Sequence, residues 1–208
     1  MQSLLQTFCG IFSAENAQQK LSLLSGREGE TIASPLITIM DDPLLPGGLA
    51  TSAFDGEGSA SRTKAVVEQG VLKTLLHNRR TAAKQGVETT GNARRAGRMD
   101  VAPTNFYIVP GSRSLDQLLQ DMEDGLLITD VSGLHAGANP VSGDFSLLSN
   151  GFVIRGGKQA EPVERVTVAG NFYQLLKAVR AVGSDLEFPG SSVGSPSLDV
   201  GTLPVSGK

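Results

Sequence analysis

Glycine and proline decide most of what this chain can become. There are 25 glycines and 10 prolines among 208 residues, well above the ~12% of an average protein. Glycine admits left-handed turns, and proline fixes φ and removes a backbone donor. A chain punctuated this often cannot build long helices, so strands and tight loops should outnumber them. The apolar runs agree. Residues 125–131 and 165–169 are strand-sized, and no stretch approaches the ~20 apolar residues that span a bilayer. Hydrophobic residues still make up 39% and charged residues 19%, enough for a packed core. The length allows one large or two small domains.

Residues 2–24 read as helix, with Leu4, Leu5, Phe8 and Phe12 at near-helical spacing and Ser13 able to cap a second piece. Residues 35–40 read as a strand that ends at Asp41-Asp42-Pro43. Residues 42–58 are denied regular structure by Pro43, Pro46, Gly47, Gly48, Gly56 and Gly58. Their Leu44, Leu45, Leu49 and Phe54 predict a packed loop. A hairpin follows, with residues 64–67 and 71–76 flanking Glu68-Gln69-Gly70, and then a short helix, 79–85, closed by Gly86. Residues 88–103 are polar and Gly-rich and read as a mobile loop. Residues 105–109 form a strand. Ser112 or Ser114 starts a helix that ends at Gly125, with Asp116 placed to suit the helix dipole.

The remainder is mostly strand, at 126–131, 143–148, 152–155 and 165–169. Ser149-Asn150-Gly151 and Gly156-Gly157-Lys158 supply turn chemistry. Asn171 can cap a helix over 172–182. The tail, 189–208, is rich in Ser, Gly and Pro and has one run, 197–200, fit for an edge strand. The pattern predicts an α+β fold with a mostly antiparallel, barrel-like sheet core and a few flanking helices.

The formal charge is -3, so the chain-wide basic footprint of a nucleic-acid binder is missing. A single cysteine, Cys9, excludes an internal disulfide and fits a reducing compartment. No Lys or Arg precedes Lys20, so a basic signal-peptide n-region is lacking, and the expected location is the cytoplasm. For a metal the chain offers His77, His135 and Cys9, with no H-E-x-x-H or C-x-x-C. Cys9 lies on an apolar segment and reads as a packing thiol. Ser132, Ser142 and Ser146 surround His135 in sequence, but no G-x-S-x-G elbow is present. Gly133-Leu134-His135-Ala136-Gly137 and Gly47-Gly48 match no phosphate-loop pattern. Asp41, Asp42, Asp55 and Glu57 lack EF-hand spacing and read as turn formers. Arg79, Arg80, Lys84, Arg94, Arg95 and Arg98 form the one basic cluster. No aromatics interleave them to stack bases, so they read as a solvated face.

Taken in order, several short motifs are specific as a set. They are Asp41-Asp42-Pro43-Leu44, Phe54-Asp55-Gly56-Glu57-Gly58, Glu68-Gln69-Gly70-Val71-Leu72-Lys73, Thr90-Gly91-Asn92-Ala93, Pro103-Thr104-Asn105, Ser142-Gly143-Asp144-Phe145 and Ala169-Gly170-Asn171. From about residue 4 to about residue 203 they resemble the C-terminal half of the TldD/PmbA family, the so-called modulators of DNA gyrase, and the PmbA (TldE) branch more than TldD. The resemblance implies a PmbA/TldD-like C-terminal domain over 1–208, with the family's N-terminal α/β half absent, so the chain looks like a fragment or a short member. It implies a two-subunit assembly, homo- or heterodimeric. In that assembly TldD is a zinc peptidase that degrades short or unfolded peptides and matures peptide antibiotics, and TldE is its partner.

TldD's H-E-x-x-x-H helix falls here at Leu5-Gln6-Thr7-Phe8-Cys9-Gly10, which holds neither His nor Glu. Its cysteine ligand falls near residues 188–194, where this chain has none. Without a metal there is nothing to polarise a carbonyl or supply hydroxide at neutral pH. No catalytic, cofactor-binding or metal residue is therefore carried over. Zinc is expected only in a TldD-type partner, and the role expected for this chain is to help close a proteolytic chamber. Two rivals are an independent enzyme using His135 with Asp130 or Asp144, and a nucleic-acid or gyrase-binding module using the Arg79 to Arg98 cluster.

Overall fold

The computed structural model describes residues 1–207. In chain order the elements begin with helices α1 (Gln2–Phe8) and α2 (Ala14–Gln18), separated by a 3-10 turn (Cys9–Phe12). Strands β1 (Ile39–Asp41), β2 (Lys64–Glu68) and β3 (Val71–Leu72), helix α3 (Arg79–Gln85), and strands β4 (Ala93–Ala96), β5 (Arg98–Val101) and β6 (Phe106–Ile108) follow. Next come helix α4 (Leu115–Met122), strand β7 (Gly125–Ser132), helix α5 (Leu134–Gly137), strands β8 (Asp144–Arg155) and β9 (Lys158–Asn171), and helix α6 (Phe172–Ala178). Four two-residue strands close the chain: β10 (Ala181–Val182), β11 (Val193–Gly194), β12 (Leu198–Asp199) and β13 (Val205–Ser206).

The N-terminal segment forms helix in pieces. Ser13 caps α2, its side chain accepting from the Asn16 N–H. The predicted helix does not reach residue 24, because Lys20 takes a left-handed φ of 61° and leaves Leu21 and Leu23 exposed. Leu5, Phe8, Ile11 and Phe12 are fully buried. Phe8 stacks on Phe172 at 4.6 Å between centroids, and Phe12 tilts against Phe106 at 5.5 Å. These helices therefore cap the core of the main sheet.

That sheet has the order β11-β6-β1-β2-β3. Its pairs are antiparallel except β11, which lies parallel to β6. The predicted β2–β3 hairpin turns on Gln69 (φ 47°) and Gly70 (φ 82°), the backbone demanded by a two-residue turn with both central residues left-handed. At Gly70 a Cβ would also sit 2.4 Å from the Ala33 carbonyl oxygen. A second sheet, β13-β9-β8-β7, is a long antiparallel meander. Along β8 the side chains of Phe145 and Leu147 face inward, alternating with exposed positions.

Two sequence expectations change here. Ser149-Asn150-Gly151 does not turn the chain but sits inside β8 at a bulge. The Asn150 side chain accepts from the Arg165 N–H, and a Cβ at Gly151 would come 1.9 Å from the Leu127 carbonyl. Within residues 88–103, read as a loop, residues 93–101 form the β4–β5 hairpin, turned at Gly97 (φ 77°). The tail is tied down, since β11, β12 and β13 each join a different sheet. The architecture is the α+β, mostly antiparallel one expected. The sheets are open, and none closes into a barrel among the described residues.

Candidate functional site

The site begins where β1 ends. Asp41 is fully buried there and forms an ion pair with Lys64 of β2 at 2.8 Å. Its carboxylate also accepts from Asn92 Nδ2 at 2.7 Å, from the Thr104 N–H at 2.6 Å and from Thr104 Oγ1 at 2.9 Å. A buried carboxylate is tolerated only when its oxygens are paired in this way. One side chain thus ties β2, the strand-leading segment before β4 and the segment before β6 together. Asn105, next in the chain, is also fully buried. It accepts from the Ala50 N–H at 2.9 Å and donates to the Asp42 carbonyl at 2.8 Å and to Thr51 Oγ1 at 3.0 Å. Gly48 lies so close above it that a Cβ would be 2.6 Å from the Asn105 amide.

These bonds hold the irregular segment 42–63 from beneath. Asp42 accepts from the Leu44 N–H and from Thr63 Oγ1. Asp55 accepts from the N–H groups of Glu57, Ser59 and Ala93 at 2.8–3.0 Å. The predicted turn-forming role holds for Asp42 and Asp55, whereas Asp41 is a buried, ion-paired carboxylate and Glu57 accepts from the distant Arg79 N–H. The predicted packing of the loop holds for its backbone and fails for its side chains. Leu44, Leu49 and Phe54 are 50%, 73% and 63% exposed. The loop turns several polar groups to the protein and these three apolar side chains to solvent, while Pro43 is buried and Leu45 half-buried. Leu44, Leu49 and Phe54 are thus presented to solvent from a backbone held by hydrogen bonds. Beside it a cleft of about 300 Å³ opens toward the β4–β5 hairpin, lined by Phe54, Asp55, Asn92, Arg94, Arg95 and Thr104 among others.

The other candidates stand apart from this surface. Cys9 is half-buried, its thiol donates to the Gln6 carbonyl at 3.1 Å, and burial pushes it up to about 11, so it stays protonated at neutral pH. His77 is buried and its Nδ1 has no partner; burial holds the imidazole below its ordinary value. His135 is exposed on α5. Asp130 lies across from Asn150 in the β7–β8 pair. Asp144 is exposed and held low by hydrogen bonds from Asn171 and Ser142. Among the described residues no three His, Cys, Asp or Glu side chains form a group able to hold a metal ion. The basic cluster is divided. Arg79 donates to Ser59, Arg80 pairs with Glu15 at 2.6 Å and Arg94 with Asp100 at 2.9 Å, while Arg95 and Arg98 are exposed. Within residues 5–10, Leu5 and Phe8 are core residues.

Sequence reasoning gave Asn92, Thr104 and Asn105 no role beyond their motifs, and it passed over Lys64. The available signal was that polar residues recur beside buried strand ends in the same motifs that carry the resemblance.

The model of the PmbA/TldA metallopeptidase C-terminal domain matches residues 1–207. The chain belongs to the PmbA/TldD family. A metalloprotease of Methanothermobacter thermautotrophicus is 39% identical over 79% of this chain and 36% of its own length. The metalloprotease PmbA homolog of Haemophilus influenzae is 31% identical over 98% of this chain and 43% of its own. Among solved structures, a protein described as a modulator of a DNA gyrase from Thermotoga maritima superposes with a TM-score of 0.94 at 42% identity, covering 99% of this chain and 47% of that one. TldE from Thermococcus kodakarensis superposes at 0.90 with 27% identity, covering 99% and 48%. This PmbA/TldD-family chain therefore spans less than half the length of each of these relatives. Among its described residues no helix is long and apolar enough to cross a membrane.

Proposed function

We propose that the chain is a non-catalytic, PmbA/TldE-type subunit of a two-subunit zinc peptidase that degrades or processes peptides in the cytoplasm. The observation that carries this reading is the irregular loop, whose Leu44, Leu49 and Phe54 face solvent from a backbone fixed by Asp41, Asp42, Asp55 and Asn105. Large apolar side chains held out to solvent in this way suit the face of a sister subunit, where a few such side chains dominate the binding. The similarity to TldE of Thermococcus kodakarensis supports the branch. The scattering of His77, His135 and Cys9 supports a partner-held zinc.

The test is association and zinc content. The chain and a TldD-type subunit should co-elute at micromolar concentration, with zinc on the TldD-type chain alone. Leu49→Asp or Phe54→Asp should weaken the complex at least about tenfold while leaving the melting temperature of this chain unchanged. Failure to associate, or stoichiometric zinc held by this chain alone, overturns the proposal.

A further inference from the structure

A cleft of about 450 Å³ lies between the α4–β7 junction and the segment 198–205, within the ordinary range of ligand pockets. Its apolar lining is Leu126 and Ile128 of β7, Val168 of β9, Leu198 of β12, and Leu203. All but Val168 are half-buried rather than fully buried, so their side chains reach the open space. No aromatic side chain lines the cleft, and a flat ring has nothing to stack on there. Such walls suit a flexible aliphatic chain.

The charged groups of the same cleft narrow the chemistry. Its carboxylates are already in use within the protein. Asp121 pairs with Arg113 at 2.7 Å. Asp124 Oδ1 accepts from the Gly156 N–H at 2.9 Å, and Asp199 Oδ1 from the Gly201 N–H at 2.8 Å. Arg180 is exposed and forms no ion pair among the described residues. Its guanidinium lies against Gly201, where a Cβ would come 3.1 Å from Nε and 3.3 Å from Cζ. The glycine thus lets this cation rest on the backbone. Thr202, next in the chain, is exposed in the cleft and adds a hydroxyl donor. The unspent groups beside the aliphatic walls are therefore donors, one of them charged. A cationic ligand would meet Arg180 as a like charge, and a neutral one would leave it unmatched.

We propose that this cleft binds the anion of a medium-chain aliphatic carboxylic acid, of about eight carbons. The carboxylate pairs with Arg180 and accepts from the Thr202 hydroxyl, while the chain lies on Leu126, Ile128 and Leu203. A charge-assisted pair of this kind is stronger than a neutral hydrogen bond, and each methylene taken from water tightens binding about three- to fourfold. Asp124 and Asp199 keep their charge, so the expected dissociation constant is about millimolar. The inference rests on this cleft alone and stands whether or not the chain joins a peptidase.

The test is titration of the isotope-labelled chain with sodium octanoate at neutral pH, followed by NMR. Saturable shifts are expected at the backbone amides of Leu126, Ile128 and residues 200–203, and not around Leu44, Leu49 and Phe54. Hexanoate, two methylenes shorter, should bind about tenfold more weakly. Octylamine, with the opposite charge, should also bind at least about tenfold more weakly. Arg180→Gln, an exposed change, should weaken octanoate by about tenfold with no change in melting temperature. No saturable shift up to about 10 mM, or shifts centred on the exposed loop instead, would overturn the proposal. So would equal binding of hexanoate or octylamine, or octanoate binding indifferent to Arg180→Gln.

Discussion

Asp41 is the residue on which the site's geometry depends most. Its carboxylate is buried among four bonds from Lys64, Asn92 and Thr104. Removing it leaves the Lys64 ammonium, itself nearly buried, without a counter-charge. Asp41→Ala should therefore cost about 3–5 kcal/mol, readable as a fall in the urea midpoint at unchanged slope. His77 makes a different expectation. Its imidazole is held below its ordinary 6.5 by burial. As pH falls below 6.5 the unfolded chain takes up a proton that the folded chain refuses, so stability present above 6.5 is lost on acidification. The urea midpoint should drop between pH 7.5 and 5.5 for the natural chain, and His77→Gln should flatten that part of the profile. This burial was not legible, because a histidine at a strand end reads as an ordinary polar residue. Asp41 was legible only as a turn former for a related reason. Its partners lie 23 to 63 residues away, and no local pattern reports such distances.

At the scale of elements, the legible parts are those with two independent local signals. Helix α3 has Gly86 in the left-handed conformation at its end, and α4 has Ser114 as its cap with Asp116 in its first turn. Helix α6 has Asn171 as its cap, but it ends at Ala178 rather than running to 182, because Ala181 and Val182 pair with β12 as strand β10. Where one signal carried two meanings, the reading failed. Asn-Gly serves a hairpin turn or a bulge, and at Asn150 the pairing of β8 with both neighbours decides for the bulge. Gly151 is there because β7 passes too close for a side chain, so Gly151→Ala should cost about 1–3 kcal/mol, seen as a lower melting temperature. The β4–β5 hairpin was unreadable because Arg94, Arg95, Ala96 and Arg98 are all exposed, leaving no inside-outside alternation to detect. The irregular loop was read correctly as irregular. Its exposure of Leu44, Leu49 and Phe54 was not legible, since an exposed leucine and one in a core look alike in sequence.

For the whole molecule, the last strands are the fastening. β11 joins β6, β12 joins β10, and β13 joins β9. Two-residue strands lie below what periodicity resolves, which is why only the run containing β12 was anticipated. Removing residues 193–207 should strip an edge from three sheets at once. The expected result is a broad, non-cooperative thermal transition with exposed apolar surface that binds dye; a sharp transition within a few degrees of the parent chain would show the sheets to be self-sufficient. This arrangement also orders events in time. β6 and β9 are synthesised before the strands that complete them, so the nascent chain must hold open sheet edges until residues 193–206 arrive. Pairing of these edges therefore waits on that segment, and a chain stalled or clipped before it would present adhesive edges rather than a smaller native body.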